Sequence, residues 1–230
     1  MSLAYFLTPD PLSGRLTGAE AQHAHVKRIA PGESIVLTDG TGLTATITVT
    51  RASKEEVVGE VIAHAEVPAP NPRVTVVQAI PKSERAELAV DLAVQAGADE
   101  IVPWISHRTI ARWPEQKQAK QVEKWQSQAV AAAKQARRAW VPQVRMPVST
   151  RELGGVDKQK LILHEDAQTS IKDVAFSDDI WLVIGPEGGI GEDELQLIGG
   201  EPVRLGPEVL RTASAAFAGL CAIGALTGRW

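Results

Sequence analysis

The chain of 230 residues contains one cysteine, Cys221, which excludes an intramolecular disulfide and any metal site built from several thiolates. Cys221 lies in the small-residue apolar run from Ala215 to Leu226, so a buried packing thiol is expected there, not a nucleophile. His23, His25, His64, His107 and His164 show no ligand spacing, and no metal is expected. No apolar run approaches the roughly 20 residues needed to span a bilayer, so no membrane partner is expected. The opening Met1-Ser2-Leu3-Ala4-Tyr5-Phe6-Leu7 lacks a basic n-region and is too short for a signal peptide, which makes a cytoplasmic location the expectation. Internal repeats and low-complexity tails are absent as well. With 44% hydrophobic and 23% charged residues, the composition is that of an ordinary globular protein.

A basic excess is also missing: the net charge of −4 argues against a general nucleic-acid coat protein. Its distribution is uneven, however. Between Lys117 and Arg145 the basic residues Lys117, Lys120, Lys124, Lys134, Arg137, Arg138 and Arg145 face one acid, Glu123. The acidic surplus lies in Glu55-Glu56, Asp178-Asp179 and Glu192-Asp193-Glu194. A local basic face on an acidic chain suits a protein that binds a polyanion at one place. For Lys117, Lys120 and Lys124 a solvated helix face is the simpler reading.

Residues 1–67 read as a compact β-barrel-like module with one helix. Strands are expected over 34–38, 43–50 and 57–62, joined at Asp39-Gly40-Thr41-Gly42, and Thr17 with Glu20 resembles a capping box that opens a short helix. Pro68-Ala69-Pro70-Asn71-Pro72 is a stiff linker, because three prolines in five residues suit neither helix nor central strand. From 73 to 230 the rhythm is strand, helix, strand. Strands are expected at 74–80, 100–104, 161–164 and 181–184, with helices at 83–96, 116–138 and 213–228. This alternation implies an α/β domain with a mostly parallel sheet and helices on both faces.

Two glycine-proline turns stand out. Ile184-Gly185-Pro186-Glu187-Gly188-Gly189 follows the strand-like Trp181-Leu182-Val183-Ile184, and Leu205-Gly206-Pro207-Glu208-Val209-Leu210 follows Pro202-Val203-Arg204-Leu205. Glycine removes the Cβ that blocks close approach and proline fixes the turn, so two such strand ends can lay bare backbone around one ligand. The first turn is neither a P-loop nor a dinucleotide fingerprint, since Gly-Lys-Ser/Thr and Gly-x-Gly-x-x-Gly are both missing. The acids of Glu192-Asp193-Glu194 fall in the first turn of the next helix, where complementing its dipole is the expected role.

With these motifs the chain resembles the RsmE family, SPOUT-class methyltransferases that methylate N3 of a uridine in small-subunit (16S) ribosomal RNA. The resemblance rests on Gly185 to Gly189 followed by Leu205-Gly206 and Val209-Leu210-Arg211-Thr212. It also draws on Lys82-Ser83-Glu84-Arg85, Gly97 to Pro103 and Gln135-Ala136-Arg137-Arg138 in family order, after an N-terminal β module. It implies a PUA-like RNA-binding domain over 1–67 and a methyltransferase domain over 73–230 closed by a trefoil knot. An obligate homodimer and S-adenosylmethionine as methyl donor, with S-adenosylhomocysteine as product, are implied too. Carried across, the donor-binding loops are Leu163-His164-Glu165, Ile184 to Gly189 (Ile184, Gly185, Pro186, Glu187, Gly188, Gly189), and Leu205 to Thr212, with Leu205, Gly206, Leu210 and Thr212 as contacts. The family often carries an acid where this chain has Ala213, an arginine where it has Ala4, and Glu where it has Gln95.

Neutral N3 of uracil carries a proton and is a poor nucleophile, so a group that stabilises the developing uracil anion assists transfer. A guanidinium stays cationic and forks onto adjacent oxygens, which makes Arg211, just past the second turn, the catalytic candidate. Lys27, Arg28, Lys82, Arg108, Arg137 and Arg138 are the RNA-binding candidates, with Trp140 beside the last pair for base contact. The substrate is expected to be 16S ribosomal RNA, either naked or within the assembled small subunit. Two alternatives stay open at this point: a SPOUT methyltransferase for transfer RNA or another rRNA position, and a knotted RNA-binding assembly factor without catalysis.

Overall fold

The computed structural model describes residues 3–230; Met1 and Ser2, the start of the stretch read for a leader, lie outside the described residues, as do the side chains of Ser83 and Glu84. The chain divides into two compact units. One runs to Ala69 and takes in Ala133–Val141, and the other comprises Pro70–Ala132 and Pro142–Trp230. A single cut at 68–72 leaves 133–141 in the second unit. The structure joins that segment to the first, where Thr38 Oγ1 donates to Ala139 O at 3.2 Å and Trp140 Nε1 donates to Val67 O at 2.9 Å.

The first unit contains β1 (Tyr5–Leu7), β2 (Arg15–Thr17), α1 (Gly18–Val26), β3 (Ser34–Thr38), β4 (Leu43–Ala52) and β5 (Glu56–Glu66). Their order in the sheet is β1-β3-β4-β5-β2, antiparallel except for β1 beside β3. Register shifts at Thr46/Ile47 and Val49/Arg51 mark irregularities that bend β4 against β5. Phe6, Leu16, Ala24, Ile35, Leu37, Ile47, Val49 and Val57 form the buried core, the inward-facing alternation of these strands plus one residue of α1. The capping box does not form: Thr17 makes no side-chain cap bond. Glu20 instead accepts Leu7 N–H at 3.2 Å and pairs with Lys134 Nζ at 2.5 Å, because an available cation and a free strand N–H compete for the same carboxylate.

The second unit begins with β6 (Arg73–Ala79), α2 (Ser83–Gln95), β7 (Glu100–Ile105) and α3 (Glu115–Gln135), whose last turn enters the 133–141 segment. It continues through β8 (Gln143–Val144), β9 (Val148–Ser149), α4 (Thr150–Gly154), β10 (Gln159–Leu163), β11 (Thr169–Ser170) and β12 (Asp179–Ile184). It closes with α5 (Glu192–Ile198), β13 (Glu201–Arg204) and α6 (Thr212–Thr227). The strands run β11-β13-β10-β12-β6-β7-β8, with β9 also on β7, and every pairing is parallel. Helices α2 and α6 pack together, and α6 also lies against β6 and β12. Val77, Ala79, Val102, Trp104, Leu153, Ile162, Val183, Ile190 and Ile198 form a core that draws on β6, β7, β10, β12, α4 and α5.

Two details fix α6 where it lies. A Cβ on Gly219 would stand 2.9 Å from Leu182 Cδ2, so the glycine lets the helix settle onto β12. Beyond the helix, Arg229 donates to Pro72 O at 2.5 Å and pairs with Asp99 at 2.7 Å, with a further bond to Gly97 O. Cys221 is half-buried in this helix, and burial pushes its thiol above the ordinary value, as befits a packing group.

Candidate functional site

In a parallel sheet all the strands end on the same side, and the segments after them form one rim. Here the chain after β6, β7, β10, β12 and β13 lines a cavity of about 740 Å³, within the range of small-molecule sites. Its wall contains Leu163, His164 and Glu165 from the end of β10, Ile184 through Gly189 after β12, and Leu205, Gly206, Leu210, Arg211 and Thr212 after β13. The residues named as donor contacts are therefore on one wall together with Arg211, while Pro207 of the third loop does not line it.

The first glycine turn is packed from outside. Its Gly189 N–H donates to Pro186 O at 3.0 Å, while Pro186 and Ile190 are buried beneath it. Arg108, in the segment after β7, donates through Nη1 to Gly188 O at 3.1 Å. A Cβ on Gly188 would lie 3.3 Å from Arg108 Cβ, so the missing side chain is what admits the arginine. A Cβ on Gly185 would meet Ile190 Cγ1 at 2.8 Å. The second turn has little against it: a Cβ on Gly206 would meet only Glu208 Oε2, at 3.4 Å. Arg211 is exposed at the N-cap of α6, and its carbonyl accepts Ser214 N–H and Ala215 N–H at 2.9 and 3.0 Å. Ala213 is buried in the first helical turn and does not line the cavity.

Several wall residues were given no ligand-binding role from the sequence: Arg85, Asp166, Ile190, Gly191, Glu192, Val203, Arg204 and Ala215. Most directly adjoin the expected loops, so strand-end position was the available signal. Arg85 needed the knowledge that the start of α2 reaches the same rim. His164 lies on the wall, and its Nδ1 accepts Asp166 N–H at 3.3 Å. Glu192 and Asp193 are exposed in the first turn of α5, as the dipole reading requires, but Glu194 is buried and serves another purpose.

The mixed wall fits S-adenosylmethionine. Apolar groups of Leu163, Ile184, Val203, Leu205, Leu210 and Ala215 suit a base and ribose carbon face, and the glycine turns give backbone access. Glu165, Asp166, Glu187, Glu192 and Glu208 supply negative charge for a sulfonium and an ammonium, while Arg85, Arg108, Arg204 and Arg211 supply the opposite sign for a carboxylate or RNA. No group of three or more metal-ligating side chains occurs among the described residues.

The RNA candidates fall in both units. Lys27 caps α1 and Arg28 follows it with φ of 60°, while Arg137 follows α3 with φ of 56°. Lys27, Arg28, Arg137 and Arg138 thus all lie in the first unit at helix C-termini, and Lys134, bonded to Glu20 and to His23 Nδ1 at 3.3 Å, joins those two ends. Lys82 and Arg108 belong to the second unit, the former at the N-cap of α2. Trp140 is held in place: its indole N–H donates to Val67 O at 2.9 Å, and its ring lies 2.9 Å from where a Cβ on Gly42 would stand. No helix among the described residues is long and apolar enough to cross a membrane.

Residues 68–224 match the model of an RNA methyltransferase domain, and residues 16–62 that of an RNA methyltransferase PUA domain. Ribosomal RNA small subunit methyltransferase E of Mycobacterium bovis is 43% identical over 246 aligned positions, which cover 100% of this chain and 94% of the relative. The protein of the same name from Aquifex aeolicus is 29% identical, over 87% of this chain and 89% of its own. The crystal structure of ribosomal RNA small subunit methyltransferase E from Neisseria gonorrhoeae bound to S-adenosyl methionine superposes with a TM-score of 0.88 at 29% identity, over 98% of each chain. With the fold, the donor-shaped wall and both domain models in agreement, the chain belongs to the RsmE family of RNA methyltransferases.

Proposed function

We propose that this protein methylates N3 of a uridine in 16S ribosomal RNA, in the cytoplasm, with S-adenosylmethionine as donor. The observation that carries the reading is the convergence of all three expected donor loops and Arg211 on one cavity at the carboxyl ends of parallel strands. When bound, the donor supplies an electrophilic methyl group on a sulfonium. The backbone of the two glycine turns and Leu163, His164 and Glu165 hold it, and Thr212 closes the wall at the start of α6. Arg211 offers a permanent cation to the uracil oxygens as N3 loses its proton, and its planar fork can meet adjacent oxygens as negative charge develops on the base. Position 213 provides no carboxylate, and the carboxylates available around the reacting base are those of the wall, Glu187 and Glu208 among them.

The same reading gives the first unit the task of holding RNA through Lys27, Arg28, Arg137 and Arg138, with Lys82 and Arg108 engaging RNA beside the donor. A trefoil knot fits the strand order, since the chain leaves β12, passes beyond β10 to β13, and returns as α6 onto α2, β6 and β12. A homodimer fits the exposed apolar side chains of Val209, Leu210 and Phe217 in and just after the third loop. Mass spectrometry of nucleosides from small-subunit RNA of a strain lacking the gene tests the function. Loss of 3-methyluridine, restored by the gene, is expected; retention of 3-methyluridine in that RNA would reject the proposal, and loss from transfer RNA alone would redirect it.

A further inference from the structure

Glu194 is 1% exposed, although its neighbours Glu192 and Asp193 face solvent and already complement the α5 dipole. Burying a third carboxylate gains nothing for the helix and is costly unless the group is bonded. Its Oε1 accepts the backbone N–H of His107 at 2.8 Å and the hydroxyl of Thr150 at 2.6 Å. Thr150 Oγ1 in turn accepts Trp104 Nε1–H at 3.2 Å, which ties the carboxylate to the core side chain at the end of β7. Glu194 Oε2 has no partner among the described residues. The residue after His107 is Arg108, whose Nη1 bonds to Gly188 O at 3.1 Å on the cavity wall. A bond between Ser106 Oγ and Thr109 Oγ1 at 2.9 Å closes the same short loop.

We infer that Glu194 is a positioning residue that fixes the loop after β7, so that Arg108 lies across the first glycine turn in the geometry needed to receive RNA. The inference rests on the proposed methyl transfer and adds to it a residue outside the cavity that governs substrate engagement. The route is short. Glu194 lies three residues beyond Gly191, on the helix that follows the glycine turn, and it grips the neighbour of the arginine that covers that turn. The carboxylate thereby locks the turn and its cover together. Glutamine at 194 keeps an oxygen that can accept both bonds, whereas alanine leaves the His107 N–H and the Thr150 hydroxyl without their buried partner.

The test compares Glu194→Gln, Glu194→Ala, Arg108→Ala and the Glu194→Ala/Arg108→Ala double variant, using small subunits from a strain lacking the gene as substrate and S-adenosylhomocysteine as the binding probe. Glu194→Ala and Arg108→Ala are each expected to lower kcat/KM for RNA about tenfold, the double variant no further than the worse single, with cofactor-product affinity kept within about threefold. Glu194→Gln should stay within about threefold of the parent. Amide exchange at His107 gives a readout independent of turnover: about tenfold faster in Glu194→Ala, near the parent rate in Glu194→Gln, with β6 unchanged in both. Multiplicative losses in the double variant, or unaltered exchange at His107 in Glu194→Ala, would overturn the inference. Absence of methyl transfer by the parent protein, with the exchange pattern intact, would instead reject the functional reading and leave the clamp standing.

Discussion

The two glycine-proline turns look alike in sequence and differ in what surrounds them. The turn after β12 is packed between Arg108 outside and Ile190 beneath, and extra atoms at Gly185 or Gly188 meet protein. Around the turn after β13, Val209 is 72% exposed and Leu210 41%, and extra atoms at Gly206 meet almost nothing. Glycine in the first turn is thus demanded by the fold, whereas in the second it leaves room for something the chain does not itself supply. A site built this way has one rigid wall that fixes position and one open wall that presents Arg211.

Substitutions in each turn should separate the two roles. The largest effect is expected from Arg211→Ala in the open wall: kcat down by about 10²–10³-fold with donor affinity nearly kept, measured by single-turnover methylation and calorimetry. Equal losses in both quantities would make Arg211 a donor-binding residue. In the packed wall, Gly185→Ala forces a Cβ against Ile190 and should destabilise the fold by about 1–3 kcal/mol in denaturant unfolding. An unchanged midpoint would show that this wall yields as readily as the other. Gly206→Ala adds a Cβ to the open wall, and should weaken donor binding about tenfold while leaving stability within about 0.5 kcal/mol. A fall in stability without loss of affinity would erase the distinction.

A control that touches neither turn comes from His23 in the first unit, and its effect is the smallest. Burial, and then the positive charge of Lys134, push His23 below its ordinary value of 6.5. The unfolded chain therefore takes up the proton first as pH falls through that value, and stability declines on acidification. Thermal midpoints measured on either side of that pH should fall more for the parent than for His23→Gln. The reverse order would mean that the protonated ring is the favoured form.

Much of the fold was legible in the order of elements. The strand over Ser34–Thr38 and the helix expected over 83–96, which ends at Gln95, follow from a short apolar run, from helical period and from the stop at Gly97, all local features. The two glycine-proline turns were legible because glycine and proline at strand ends leave a composition signal, whereas Leu163-His164-Glu165 carries no such signal and was marked only by the family resemblance. What escaped were residues whose importance comes from distant partners. Glu20 carries the spacing of a capping box, yet a lysine more than a hundred positions later takes its carboxylate. Glu194 carries the spacing of a helix-dipole acid, yet is buried against the N–H of His107. Trp140 stands beside two arginines in sequence, and the bond from its indole N–H to Val67 O joins positions more than seventy apart.

The sequence by itself determined the parallel α/β class, the N-terminal β module, the two glycine-proline turns at strand ends and the permanent cation of Arg211 just past the second turn. Each is written in local periodicity, in turn residues, or in the formal charge of one side chain. Only the tertiary structure decided that 133–141 belongs with the first unit, that α6 lies against α2 and β12, and which of three adjacent acids is buried. These outcomes depend on which groups meet across long separations in the chain. Hydrogen bonding and burial settle that contest after collapse, and no window of neighbouring residues contains both sides of it.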